Sequence, residues 1–249
     1  AEAGVARVVA ALRDPDPRVD GRGFAMLRAA GIETVESVEA EAAAEVNAGF
    51  ISLQRRGRPW LVLKLAGSLD GRIATESGES RWISDAPARD YAHLLRAEAD
   101  AILVGMGTVR ADDPGLDCRL PGLEDRSPRP VLLDPRLSLS PDRGLVRRAR
   151  ERPVLVLHGP DADPEAARVL AACGVELAET PLAAGGGVDL PAALAELGRR
   201  GITRVLCEGG GRLAAALLAE GLADELHWAS AGLALGAEGR PAVGPLALA

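Results

Sequence analysis

Val205-Leu206-Cys207-Glu208-Gly209-Gly210-Gly211-Arg212-Leu213-Ala214 is the stretch on which the fold turns. Three apolar residues read as a buried strand, three glycines as a tight turn, and residues 212–220 as a helix. A strand that feeds a helix through a short turn is half of a parallel β–α–β unit. The same alternation runs outward from it. Apolar strand-like runs at 60–66, 101–105, 130–134, 153–157, 175–179 and 225–230 are separated by helical stretches near 87–98, 164–172 and 190–200. Ser84-Asp85 can cap the first of these helices, with Pro87 in its first turn. The pattern predicts an α/β protein whose largely parallel sheet is covered on both faces.

Upstream, residues 5–12 and 32–37 are strand-like, and residues 23–30 read as a helix stopped by Gly31. Val38, Ala42, Val46, Phe50 and Leu53 recur every three or four residues, as one apolar face of a helix does. Gln54-Arg55-Arg56-Gly57-Arg58-Pro59 is polar and punctuated by Gly and Pro, so it reads as a linker. The expected organisation is a partial segment at 1–53, a linker at 54–59 and the main domain at 60–249.

Composition narrows the function. With 47% hydrophobic but only 2% aromatic residues, the core must be built from Ala, Val and Leu. A net charge of −7 argues against nucleic acid as the main partner. The basic run 143–152 reads as a solvated face. No apolar run approaches the ~20 residues that span a bilayer, and no basic-then-apolar leader opens the chain, so no membrane partner and a reducing cytoplasm are expected. Three scattered cysteines and three scattered histidines give neither a disulfide framework nor a metal-ligand set.

Four stretches can carry chemistry. Lys64 is the single lysine among 29 basic residues, within Lys64-Leu65-Ala66-Gly67-Ser68-Leu69-Asp70-Gly71-Arg72-Ile73-Ala74. An ammonium is a compact charge that gives up its proton when buried, which arginine does not. The glycine turn after residue 207 opens a helix whose free N–H groups favour a phosphate, although a ligand-free tight turn has the same sequence. Glu208 stands at the carboxyl end of that strand, where open α/β sheets bind ligands. In Ser77-Gly78-Glu79-Ser80-Arg81-Trp82-Ile83-Ser84, Ser80 can donate to a phosphate, and Trp82 either stacks on a flat ring or plugs the core. Gly105-Met106-Gly107-Thr108-Val109-Arg110-Ala111-Asp112-Asp113-Pro114-Gly115-Leu116-Asp117-Cys118-Arg119 follows an apolar strand, and Arg119 with Arg96 can form a two-arginine phosphate clamp. The glycine turn and the stretches 77–84 and 105–119 all follow strands, so one sheet can bring them to a common rim.

These motifs, with Leu94-Leu95-Arg96-Ala97-Glu98-Ala99-Asp100-Ala101-Ile102-Leu103-Val104-Gly105 and Asp224-Glu225-Leu226-His227, resemble a known family: the bifunctional riboflavin-biosynthesis proteins, a pyrimidine deaminase fused to a 5-amino-6-(5-phosphoribosylamino)uracil reductase. The likeness covers residues 58–244. It implies a dihydrofolate-reductase-like, mixed and largely parallel sheet, and NADPH as hydride donor. The implied substrate is a phosphorylated ribosylamino-pyrimidine, reduced to the ribitylamino product. By resemblance, Ser80, Arg96, Leu116, Arg119 and Glu208 would contact substrate. Ala66, Trp82, Thr108, Asp112, Gly210, Gly211, Arg212, Leu213, Ala214, Ala215 and Ala216 would contact the nucleotide. Pro135 stands where the family often has a small hydroxyl residue, leaving only a backbone contact. Lys64 would lie at the reacting centre.

Residues 1–53 resemble the end of a cytidine-deaminase-like segment, yet the H-x-E and P-C-x-x-C zinc ligands of such deaminases are missing from the chain. Reduction without deamination is therefore expected, with zinc confined to a part that the chain does not contain. A homodimer is expected by resemblance. The competing expectations are a pterin or folate reductase of the same fold and a non-catalytic nucleotide-binding scaffold.

Overall fold

A computed structural model describes residues 3–79 and 85–246. The chain opens with a small unit in which β1 (Arg7–Val9) and β2 (Glu33–Val35) pair in parallel around α1 (Arg22–Ala29). Gly31 ends α1 as expected, at φ 76°, a left-handed conformation that costs glycine little. Next come α2 (Ala40–Val46) and α3 (Ala48–Arg56). The expected single helix breaks at Asn47, whose side chain donates to the Ala43 carbonyl. Its apolar stripe is not a core face either. Val38, Val46 and Phe50 are 42%, 85% and 40% exposed.

The buried face of α3 is made of small residues, Ala48, Gly49 and Ser52. A Cβ on Gly49 would stand 2.8 Å from the Thr203 carbonyl oxygen. The expected linker therefore does not begin at residue 54. Gln54, Arg55 and Arg56 form the last turn of α3, Gly57 stops it at φ 66°, and Ser52 Oγ donates to the Arg58 carbonyl.

The remaining elements follow in order: β3 (Trp60–Ser68), β4 (Arg72–Ala74), α4 (Ala86–Glu98), β5 (Ala101–Gly105), α5 (Met106–Asp112), β6 (Arg129–Leu133), α6 (Gly144–Arg147), β7 (Leu155–His158), α7 (Pro164–Ala172), β8 (Glu176–Glu179), α8 (Leu190–Arg199), β9 (Arg204–Cys207), α9 (Gly211–Ala219), β10 (Glu225–Ala231) and β11 (Arg240–Pro241). Seven of the strands form one sheet, in the order β10-β3-β9-β5-β6-β7-β8. Every pairing in it is parallel, so among the described residues the sheet is not mixed. The antiparallel pair, β11 with β4, lies outside it.

Alternation along the strands sorts the core into two layers. Leu61, Leu63, Leu103, Leu155 and Leu157 pack with Leu194 and Leu197 of α8 and Ala214 and Leu217 of α9. Val62, Ile102, Val104, Leu132 and Val156 pack on the other face with Leu95 of α4, Val109 of α5, Leu145 and Val146 of α6, and Leu170 of α7. This explains the unbroken apolar runs, since strands covered on both faces need no polar side. The helix starts follow the sequence signals. Asp85, Asp163 and Asp189 cap α4, α7 and α8, each accepting from a backbone N–H of its helix, with proline in the first turn. The basic run is solvated at Arg147, Arg148 and Arg150, but half-buried Arg152 donates to the carbonyls of Gly115, Leu116 and Pro128. It thereby ties down the loop after α5.

Candidate active site

The parallel register sets the carboxyl ends of β3, β9 and β5 side by side, with Leu63 opposite Cys207 and Cys207 opposite Leu103. At that edge a cleft of about 510 Å³ opens. Its walls come from Lys64 and Ala66 of β3, Ile73 and Ala74 of β4, Gly107, Thr108 and Asp112 of α5, Glu208, Gly209 and Gly210 after β9, and Arg240 of β11. Five of the residues singled out in the sequence, together with Gly210, thus meet on one rim. Ser80 and Trp82 lie outside the described residues.

Lys64 is half-buried in the wall of this cleft. Burial lowers the pKa of its ammonium; the Glu208 carboxylate works against that and the Arg96 guanidinium with it. Glu208 is itself gripped by Arg96, whose Nε and Nη2 donate to its two oxygens at 2.8 Å each, while Nη1 donates to the Asp117 carbonyl at 2.9 Å. Both partners are about seven-eighths buried, at 13% and 14% side-chain exposure. The two-arginine clamp is therefore not what the structure forms. Arg96 spends its fork on Glu208, and Arg119 faces His93, donating through its backbone N–H to Nδ1 at 3.3 Å and approaching Nε2 with its guanidinium at 3.3–3.4 Å. Burial and the charges of Arg96 and Arg119 hold the His93 pKa below its ordinary value.

Several expected contacts point elsewhere. Leu116 is 2% exposed and packs in the core at φ 56°, with its carbonyl taken by Arg152. Ala214 is 0% exposed and belongs to the core beneath α9, and Ala215 is buried beside it. Arg212 is exposed, and Leu213 and Ala216 pack against the same core. Pro135 follows β6, one strand beyond the cleft wall, and its carbonyl accepts from Gly159 N. Gly211 has a structural task, since a Cβ there would stand 2.5 Å from the Pro241 carbonyl oxygen. Of the α9 stretch, Gly210 alone lines the cleft.

Sequence reasoning missed Arg240, which brings a guanidinium into the cleft from residues 233–244. This strap is fixed by backbone bonds from Leu69 N to Leu233 O, Ala242 N to Gly71 O and Gly244 N to Gly211 O. Asp70 accepts from Ser68 Oγ and from the N–H groups of Leu235 and Gly236, and these bonds hold its pKa down at about 2. The signal is the Ser68-Leu69-Asp70-Gly71 turn, whose partner Leu235 lies 165 residues away in sequence. Cys207, at the end of β9, is no nucleophile, because burial pushes its thiol up to about 12.

Comparison with known proteins gives this geometry its setting. Residues 59–249 match the family model of the RibD C-terminal domain. The riboflavin biosynthesis protein RibD of Bacillus amyloliquefaciens is 36% identical over 237 residues, covering 94% of this chain and 62% of that protein. The RibD structure of Acinetobacter baumannii superposes with a TM-score of 0.85 at 34% identity, over 98% of this chain and 66% of that one. A Thermotoga maritima structure, described as a diaminohydroxyphosphoribosylaminopyrimidine deaminase/5-amino-6-(5-phosphoribosylamino)uracil reductase, matches with a TM-score of 0.78 at 33% identity, over 97% of this chain and 63% of that one. The chain thus spans less than two thirds of the Bacillus protein's length, and the family model covers most of it: the chain belongs to the RibD C-terminal domain family.

Proposed function

We propose that the chain reduces 5-amino-6-(5-phosphoribosylamino)uracil to its ribitylamino counterpart, with NADPH as the hydride donor. One observation carries this reading: Lys64, Glu208 and the Gly209-Gly210 turn converge on a cleft of about 510 Å³ at the carboxyl edge of the sheet. The volume lies within the range of about 300–1,000 Å³ usual for small-ligand sites. The features of the cleft suit a dinucleotide. Gly210 caps α9 without a side-chain bond and faces open space, which leaves the first N–H groups of that helix to a phosphate. Thr108 and Asp112, one turn apart on α5, and Ala66 on β3 line the same wall.

When bound, the nucleotide supplies the hydride. The chain supplies the rest. Lys64, with its ammonium pKa lowered by burial, donates a proton to the sugar ring oxygen as the C1–O4 bond breaks. The substrate nitrogen's lone pair forms an iminium with C1, and reduction at C1 returns those electrons to nitrogen. The Arg96–Glu208 pair holds a carboxylate beside Lys64 that favours the charged amine at rest. Neither Arg119, which faces His93, nor Arg240, which lines the cleft and donates to the Glu76 carbonyl, pairs with a carboxylate among the described residues, so the substrate and nucleotide phosphates are assigned to them. The proposed assembly is a homodimer. NADPH oxidation on addition of the pyrimidine, followed by absorbance on the purified chain, tests the function, and no oxidation at saturating substrate refutes it.

A further inference from the structure

Lys64 lines a second cavity besides the cleft. About 280 Å³ lies on its other side, between α4 and β10, bounded by Ala88, Tyr91, His227 and Trp228. Lys64 and His227 are register partners on adjacent parallel strands, so their side chains leave the same face of the sheet. Across this cavity runs a hydrogen-bonded chain that the cleft chemistry does not use. Tyr91 Oη lies 2.9 Å from His227 Nδ1, and His227 Nε2 lies 2.5 Å from Glu225 Oε1. The other Glu225 oxygen accepts from Trp60 Nε1 at 3.0 Å. Tyr91 is 47% exposed, so the chain reaches solvent away from the cleft.

We propose that Tyr91, His227 and Glu225 form a rear proton port that reloads Lys64 while ligands fill the cleft. The inference rests on the reductase reading for its purpose, but its structural content is independent of it. A filled active site excludes bulk water, so a proton spent from Lys64 into the cleft must be replaced from behind. A cavity of this size has room for several waters, each occupying about 30 Å³, to join Lys64 to the tyrosine.

The bonding fixes the protons. A carboxylate only accepts, so His227 Nε2 carries a hydrogen toward Glu225. In the neutral imidazole Nδ1 then accepts from the tyrosine O–H. In the imidazolium, paired with Glu225, Nδ1–H donates to the tyrosine oxygen as that oxygen passes its own hydrogen, through water, to the Lys64 amine. The transfer ends with a charged ammonium, an intact phenol and a neutral imidazole, and solvent then restores the imidazolium. The charged and titratable groups around His227 are Lys64 on β3, Tyr91 on α4, Glu225 on β10 and, 3.9 Å beyond Glu225, Arg204 on β9. Burial raises the Glu225 pKa, but bonds from Trp60 and His227 outweigh it and keep the carboxylate charged.

The single lysine makes the port testable without turnover. Carbon-13 at lysine Cε gives one resonance, Lys64. Its pH titration is expected to show a second inflection coincident with the His227 ring signals. That inflection should vanish in His227→Gln and shift in the milder Tyr91→Phe. In the reductase assay both variants should lose about tenfold in kcat at unchanged KM, less than the 10²–10⁴-fold of a direct general acid because the port only refills one. A wild-type titration without the second inflection overturns the port, as does unchanged kcat in both variants. The inflection without any NADPH oxidation leaves the port standing and fells the reductase reading instead.

Discussion

Asp224 is the joint between the N-terminal helices and the sheet. Its carboxylate accepts from Arg56 Nη1 at 2.6 Å, from Arg58 Nη1 and Nη2 at 2.6 and 2.8 Å, and from the Leu61 amide at 2.8 Å. It is 5% exposed and Arg58 is 13% exposed, so water cannot replace these bonds. Asp224→Ala strands the Arg58 charge, and removing one partner of a buried ion pair costs about 3–5 kcal/mol. The orphaned Leu61 amide adds about 1–3 kcal/mol, overlapping the first term because both share one cavity. The expected loss is about 4 kcal/mol, a large part of the roughly 5–15 kcal/mol by which domains are stable. Urea unfolding measures it as a fall in midpoint at unchanged slope. The pH dependence adds a second check. Burial raises the Asp224 pKa, but bonds to Arg58, Leu61 and Arg56 outweigh it and leave it below 3.8. Its contribution is therefore complete above that value and is lost as pH falls through the lower folded one. Wild type and variant should differ by a constant amount from about pH 7 to 5, and the difference should shrink as pH falls below about 4. A loss under about 1 kcal/mol, or a difference that grows on acidification, refutes the reasoning.

Other outcomes follow from the same geometry. Gly211→Ala puts a Cβ 2.5 Å from the Pro241 carbonyl oxygen; overpacking of this kind costs about 1–3 kcal/mol, and hydrogen exchange at residues 240–244 should accelerate, whereas Gly210→Ala, which meets no atom, should leave exchange there unchanged. Asp70→Asn weakens the acceptor for Leu235 and Gly236, so limited proteolysis should cut residues 233–240 faster than in wild type. Because the Asp70 pKa is held at about 2, wild-type protection should persist down to about pH 4 and fall only below it. Lys64→Met should lower kcat by about 10²–10⁴-fold in the reductase assay, the usual share of a general acid, and leave nucleotide binding within about twofold by fluorescence titration.

The fold was legible where local signals agree with burial. Ser84-Asp85 announced the start of α4 with proline beside it, the caps Asp163 and Asp189 repeat that signal at α7 and α8, and runs such as 101–105 read as strands covered on both faces. It was illegible where small residues do the packing. The face of α3 that meets the sheet is Ala48, Gly49 and Ser52, which carries no apolar periodicity, while the periodic Val46 and Phe50 stay exposed. Of the site, the residues on or just after strands were legible, because topology brings Lys64 of β3, Glu208 after β9 and Thr108 after β5 to one edge. The pairing of Arg96 with Glu208, 112 residues away, left no trace that spacing can reveal, so a carboxylate and an arginine each assigned to ligand turn out to hold one another.

The glycine turn after β9 shows why a motif cannot be assigned to a ligand as a block. Its three glycines do three things. Gly209 lies against its own helix, where a Cβ would stand 2.6 Å from Leu213; Gly210 opens on the cleft; Gly211 lets the backbone of the strap pass. The strap in turn carries Arg240 into the cleft and is held at its other end by Asp70, in the loop that follows the Lys64 strand. Two motifs that read separately as nucleotide and substrate chemistry are thus joined through a segment that contains neither. A ligand drawn to Arg240 stabilises the strap by mass action and, through Gly211, the start of α9. Protection of residues 233–244 should therefore rise with nucleotide concentration in wild type and stay flat in Arg240→Ala, while a rise that survives that substitution would place the nucleotide on the α9 turn without the strap.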